Sequence, residues 1–155
     1  EDIGRGNKPE FFKMKHLFLD TNVIIDFLID RKPFSISAAK LFDFSEKGAL
    51  KIYIAAVSYN NIYYVVKKLT SHKETIKILK DLEKIAETID TTKDVIRESI
   101  NSEFKDFEDA IQHQTAITCN KIDAIITRNT IDFKYSKISV LTPDEALGLI
   151  ESINS

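Results

Sequence analysis

Short apolar runs alternate along this chain with longer stretches of helical period, and a chain written that way has one good solution, a parallel sheet covered by helices on both faces. His16 to Leu19 reads as a buried strand, and Val23, Ile24, Phe27 and Leu28 follow at i, i+1, i+4 and i+5, as on one face of a helix. A second helix is expected after Pro33, carried by Ile36, Ala39 and Phe42 and stopped at Gly48. Lys51 to Ala55 is the next strand. Ser58 is the expected cap of a helix striped by Ile62, Val65, Val66 and Leu69, and Ile76, Leu79, Leu82 and Ile85 stripe the one after it. Glu87 to Asp90 reads as a short strand, 93–103 and 106–119 as helices, and Ile122 to Thr127 and Ile138 to Leu141 as further strands. Thr142-Pro143-Asp144-Glu145 combines an N-cap, a proline at the first helical position and a capping-box Glu, and so opens a last helix. The expected fold is a three-layer α/β/α sandwich around a parallel sheet of four to five strands.

With 155 residues, 43% of them hydrophobic, the chain can bury one sizeable core. Residues 1–13 hold two of the four glycines and show no hydrophobic period, so they read as a tail. The lone Met14 stands where a start would, making that tail a candidate vector-derived addition and 14–155 the expected domain. No apolar run approaches the roughly 18 residues of a membrane span. A single cysteine, Cys119, leaves no internal disulfide, and the cytoplasm is the expected compartment. A formal charge of -2 argues against holding nucleic acid by bulk charge alone, so a polyanionic ligand needs a local basic patch or a metal.

In open parallel sheets the ligand crevice lies beyond the carboxyl ends of the strands. Asp20 follows the first strand, Asn61 lies one turn past the second and Asp132 falls in the loop after the fourth, while Asp109 sits near a helix start in Asp106-Phe107-Glu108-Asp109-Ala110. Carboxylates from distant parts of the chain repel one another at a shared crevice unless a cation lies among them, and hard oxygen donors suit Mg²⁺ or Mn²⁺.

At these residues the sequence resembles the PIN-domain nucleases, above all the single-domain toxins of bacterial toxin–antitoxin pairs. The resemblance rests on Phe18-Leu19-Asp20-Thr21-Asn22, Asp106-Phe107-Glu108-Asp109-Ala110, Thr127-Arg128-Asn129 with Asp132-Phe133, and Val140-Leu141-Thr142-Pro143, four pieces in order across 14–155. It implies a metal-dependent endoribonuclease with an RNA substrate, a cognate antitoxin and a homodimeric state. Carried over, it makes Asp20 and Asp109 the principal metal ligands and catalytic groups, completed by Asp132. Asn22, Asn61, Thr127 and Asn129 become their neighbours. The chain departs from the family at Asn61, where Glu is common, and an amide supplies an oxygen but no charge. Arg128 and Lys134 are the expected phosphate contacts, with Lys67 and Lys68 behind them.

Blander readings compete at several positions. Asp106 suits a helix N-cap with Asp109 at N3, and Asn61 suits N3 of the Ser58-capped helix, reaching back to the cap. Asp26 and Asp30 read as a solvated helix face, His113 as a surface histidine, and Tyr53, Tyr59, Tyr63 and Tyr64 as core or dimer surface before base-stacking groups. Two rival functions remain open. One is a catalytically degenerate PIN-like module that binds RNA or protein without cutting. The other is a phosphoryl-transfer hydrolase with Asp20 as nucleophile, disfavoured because Asn22 stands where that chemistry wants a second acid.

Overall fold

Successive side chains of a strand point to opposite faces of its sheet, and β1 (His16–Leu19) sends Leu17 and Leu19 into one core and Phe18 into another. The computed structural model describes residues 14–154, so the expected tail at 1–13 lies outside the described residues. Beside β1 lie β2 (Lys51–Ala55), β3 (Glu87–Ile89), β4 (Ala124–Ile126) and β5 (Ser139–Leu141), in the order β3-β2-β1-β4-β5 with every pair parallel. Leu17 of β1 is in register with Ile52 on one side and Ala124 on the other.

Seven α-helices are present among the described residues: α1 (Thr21–Leu28), α2 (Phe34–Glu46), α3 (Ser58–Lys67), α4 (His72–Ile85), α5 (Lys93–Ile100), α6 (Phe107–Ile117) and α7 (Pro143–Asn154). The larger core joins Leu17, Leu19, Ile52, Ile54 and Ile126 to Val23 and Ile24 of α1, Leu41 of α2, Ile62 of α3, Leu82 of α4 and Ile150 of α7. The opposite core joins Phe18, Tyr53, Ala55 and Ile125 to Ala116 of α6 and to Phe133 of a 3₁₀ turn, Thr130–Phe133. With α5 packed on α6, the result is the expected three-layer sandwich, with five strands.

Local signals act as their chemistry predicts at most helix ends. Ser71, Thr92 and Asp106 each accept a backbone N–H three residues on. Thr142 and Glu145 form the reciprocal capping box, with bonds of 3.0 and 2.8 Å. At the end of α2, Gly48 takes φ +81°, its N–H meets Ser45 O, and the Ala49 N–H returns to Phe44 O, so the helix stops where expected. Ser58 is a correction: it is the first residue of α3, not its cap, because its fully buried hydroxyl is engaged by two other helices. The helices expected over 93–103 and 106–119 end earlier, at Ile100 and Ile117. The fourth strand is shorter than 122–127, because Asp123 at its entry accepts the Lys15 and His16 N–H groups at the N-terminal edge of the sheet. No helix among the described residues is long and apolar enough to cross a membrane.

Candidate functional site

From the central strand β1 the chain moves to β2 on one side, and it later returns to place β4 on the other; such a reversal opens a crevice beyond the strand ends. Asp20 is the first residue past β1. Its N–H bonds Ile126 O at 2.9 Å, and its Oδ2 accepts the Thr127 hydroxyl at 2.8 Å. Thr127 Oγ1 in turn accepts the Asn129 N–H at 3.2 Å. Asp20 occupies the cap position of α1, yet its carboxylate makes no capping bond. It is only 5% exposed. Burial pushes its carboxyl up to about 6; Thr127, the Thr21 N–H and Arg128 pull it down, and Glu108 raises it further.

The second acidic group comes from α6. Asp106 caps that helix by accepting the Asp109 N–H at 2.9 Å, which places Asp109 in the first turn, facing the crevice. A helix N-terminus favours negative charge, but here burial and the neighbouring charges outweigh it. The Asp109 carboxyl is pushed up to about 7 by burial first, then by Asp20, Asp106, Asp132 and Glu108. Asp20, Thr21, Asn22, Asn61, Glu108 and Asp109 line a cavity of about 290 Å³. Asp109 also borders a second cavity, of about 420 Å³, with Lys105, Asp106, Asp132 and Lys134. Asp109 thus stands between Asp20 on one side and Asp132 on the other.

A PIN-domain family model matches residues 16–131, a span that runs from β1 past β4 and includes Asp20, Asn61, Asp109 and Thr127. The chain belongs to the PIN-domain family. Its fold is similar to that of a toxin–antitoxin complex from Klebsiella pneumoniae, at TM-score 0.61 and 25% identity, covering 82% of this chain and 97% of that one. It is also similar to VapBC2 from Rickettsia felis, solved bound to a DNA fragment from its promoter, at TM-score 0.59 and 16% identity over 81% and 96% of the two chains. The sarcin-ricin-loop-cleaving toxin VapC20 of Mycobacterium tuberculosis aligns at TM-score 0.55 and 11% identity over 70% and 86%. No curated protein sequence matches the chain.

Other residues of this PIN domain hold places that pattern alone misassigns. Asn61 does not reach back to a cap; its Nδ2 donates to Glu108 Oε2 at 2.8 Å, across the mouth from α3 to α6. Asp26 is not on a solvated face. It is 1% exposed, with Arg31 at 3.2 Å and Arg128 Nε at 2.8 Å from its carboxylate. Arg128 also lies 4.0 Å over the Phe34 ring, so this expected phosphate contact is already held by an ion pair and a stacked ring. Lys134 is exposed beside the Asp132 cavity. His113 is not a surface histidine either: it is 1% exposed, stacked on Phe104 at 4.9 Å, and its Nε2 accepts the Lys137 N–H at 3.1 Å. Burial, with a smaller push from Lys137, lowers its pKa to about 4. Tyr53 is buried and bonds His16 Nδ1, whereas Tyr64 is exposed at the rim of the Asp20 cavity.

Beneath the carboxylates lies a polar joint. Thr21 Oγ1 and Ser58 Oγ share a bond of 2.7 Å, and Gln112 Nε2 donates to Ser58 Oγ at 3.0 Å, all three residues being buried. It ties together α1, α3 and α6, the helices that follow Asp20 and carry Asn61 and Asp109. Helical spacing foretells part of this, since Ser58 and Gln112 lie three residues from Asn61 and Asp109, but the pairing between helices is tertiary.

Among the described residues no three acidic, His or Cys side chains form a ready-made metal cage. The donor chemistry nonetheless fits a small hard cation. Asp20 and Asp109 are oxygen donors held in a cavity where the surrounding charge is chiefly negative. Mg²⁺ keeps several of its waters and takes one or two protein carboxylates together with substrate phosphate, so it needs no closed cage.

Proposed function

We propose that this PIN domain is a metal-dependent endoribonuclease and the toxin of a toxin–antitoxin pair. One observation supports the reading above the others: two carboxyl groups at the switch-point crevice, Asp20 and Asp109, are pushed up to about 6 and about 7 by burial and by the acids around them. Near neutral pH the double anion of such a pair is costly, and a cation beside it would lower that cost. Asp20 and Asp109 would hold Mg²⁺ or Mn²⁺, with Asp132 completing the acidic set. The ion, when bound, supplies activation of water and neutralisation of charge on the scissile phosphate.

The chain's own groups do the rest. Thr127 fixes the Asp20 carboxylate by a donated hydrogen bond, and Asn129 fixes Thr127. Asn22 lines the same cavity and offers an amide donor to a substrate oxygen without adding charge, while the Asn61 amide is engaged by Glu108. Lys134, with Lys105 beside it, would draw the RNA backbone to the rim, while Arg128 shapes the loop that carries Asn129. The antitoxin and a second copy of the chain are the proposed protein partners, and exposed Tyr64 of α3 and Leu69 in the turn after it offer apolar area for the homodimer.

The test is cleavage of total and transfer RNA by the purified protein in Mg²⁺, in Mn²⁺ and in chelator, with Asp20→Asn prepared in parallel. Metal-dependent cuts that vanish in the variant are expected. Folded wild-type protein that cuts in neither metal would shift the reading to an RNA- or protein-binding module, the one that Asn61 in place of an acid favours.

A further inference from the structure

Glu108 is exposed in the first turn of α6, where a glutamate ordinarily extends into solvent. Instead its carboxylate is turned across the crevice mouth and held at 2.8 Å by the side-chain amide of Asn61 from α3. Both residues line the cavity that contains Asp20 and Asp109. The choice of holder matters chemically. A Lys or Arg in that place would neutralise the carboxylate, whereas an amide donor orients it and leaves its full charge facing the cavity. No ion pair to Glu108 occurs among the described residues, and its charge acts on both Asp20 and Asp109.

We propose that Glu108 is a further acidic wall of the metal site, beside Asp20, Asp109 and Asp132, facing the ion through one of its waters, and that Asn61 is the residue that positions it. The inference rests on the metal-site reading of Asp20 and Asp109. It adds a carboxylate from the residue next to Asp109, so one helical turn contributes two acids, and the amide of α3 serves the site through that second acid.

Binding of Mn²⁺ by the full chain, followed through the electron paramagnetic resonance signal of the free ion, separates the two readings. Thermal melting with and without Mn²⁺ reports folding and binding together. Glu108→Gln keeps the hydrogen bond to Asn61 and removes the charge; it should weaken Mn²⁺ binding about 10–100-fold while leaving metal-free melting unchanged or raised. Asn61→Ala should weaken binding less, by releasing the carboxylate, and Asn61→Gln should recover part of the loss. If Asp20→Asn abolishes binding but Glu108→Gln binds as wild type does, Glu108 is only a surface partner of Asn61 and the inference fails alone. If Asp20→Asn itself binds Mn²⁺ as tightly as wild type, the metal site is elsewhere and both readings fall.

Discussion

Replacing Asp20 by Asn should make the metal-free protein more stable at neutral pH, although it removes a group proposed to be essential. Asp20 is 5% exposed and its carboxyl is raised from 3.8 to about 6. A raised folded-state value means that the native state prefers the neutral acid. The associated stability is complete below about 3.8 and is lost as pH climbs through about 6. At about 1.4 kcal/mol for each tenfold, the gap amounts to about 3 kcal/mol at pH 7.5. For a chain of this size that corresponds to about 6–12 °C in melting temperature. Asn retains an oxygen to accept the Thr127 hydroxyl, so little is lost in exchange. Melting by circular dichroism in chelator, at pH 4 and at pH 7.5, measures the difference between the two proteins directly. The gap should be small at pH 4 and large at pH 7.5, and Mn²⁺ should raise wild type but not the variant. A gap of the same size at both pH values, or a variant less stable than wild type at pH 7.5, would refute the claim that a buried, strained carboxylate lies at this crevice.

His113 acts with the opposite sign. Its pKa is lowered to about 4, so stability is complete above about 6.5 and drains away as pH falls toward 4. His113→Gln, which can still accept the Lys137 N–H, should flatten that acid-side loss of about 3 kcal/mol; equal acid sensitivity in melting curves of the two proteins would contradict the assignment. Ser58→Ala strands the buried Thr21 hydroxyl and Gln112 amide and should cost about 1–3 kcal/mol in urea unfolding, whereas a loss near zero would mean that the joint is not tight. Arg128→Ala leaves buried Asp26 with Arg31 alone. About 1–3 kcal/mol of destabilisation is expected, and unchanged stability with weaker RNA binding would show instead that Arg128 serves the substrate.

The fold was legible because its signals are local and repeated. Strands such as Leu17-Phe18-Leu19 and Ala124-Ile125-Ile126 are apolar on both faces, which only a sheet covered on both sides can bury. Gly48, Thr142 and Asp106 mark helix ends through backbone bonds made within a few residues. Asp20 and Asp109 stood out because each follows a boundary that such signals define. Ser58 and Asn61 misled for the same reason: their types suit a helix start, but their partners, Thr21, Gln112 and Glu108, are 37, 54 and 47 residues away. Asp26 and His113 misled because a polar residue on a helix predicts solvent unless a partner from elsewhere meets it, and Arg128 and the Lys137 backbone do so here.

The sequence by itself determined the layer order, the helix and strand boundaries to within a few residues, and which acids follow the strand ends, since periodicity and capping are written in neighbouring side chains. The tertiary structure alone decided which of those acids share a cavity, which arginine is already held by an aspartate, and that an asparagine holds a glutamate over the crevice. Those facts depend on the parallel order β3-β2-β1-β4-β5 bringing distant helices to one edge. There the energies of burial and like charge are set by distances that no local pattern encodes.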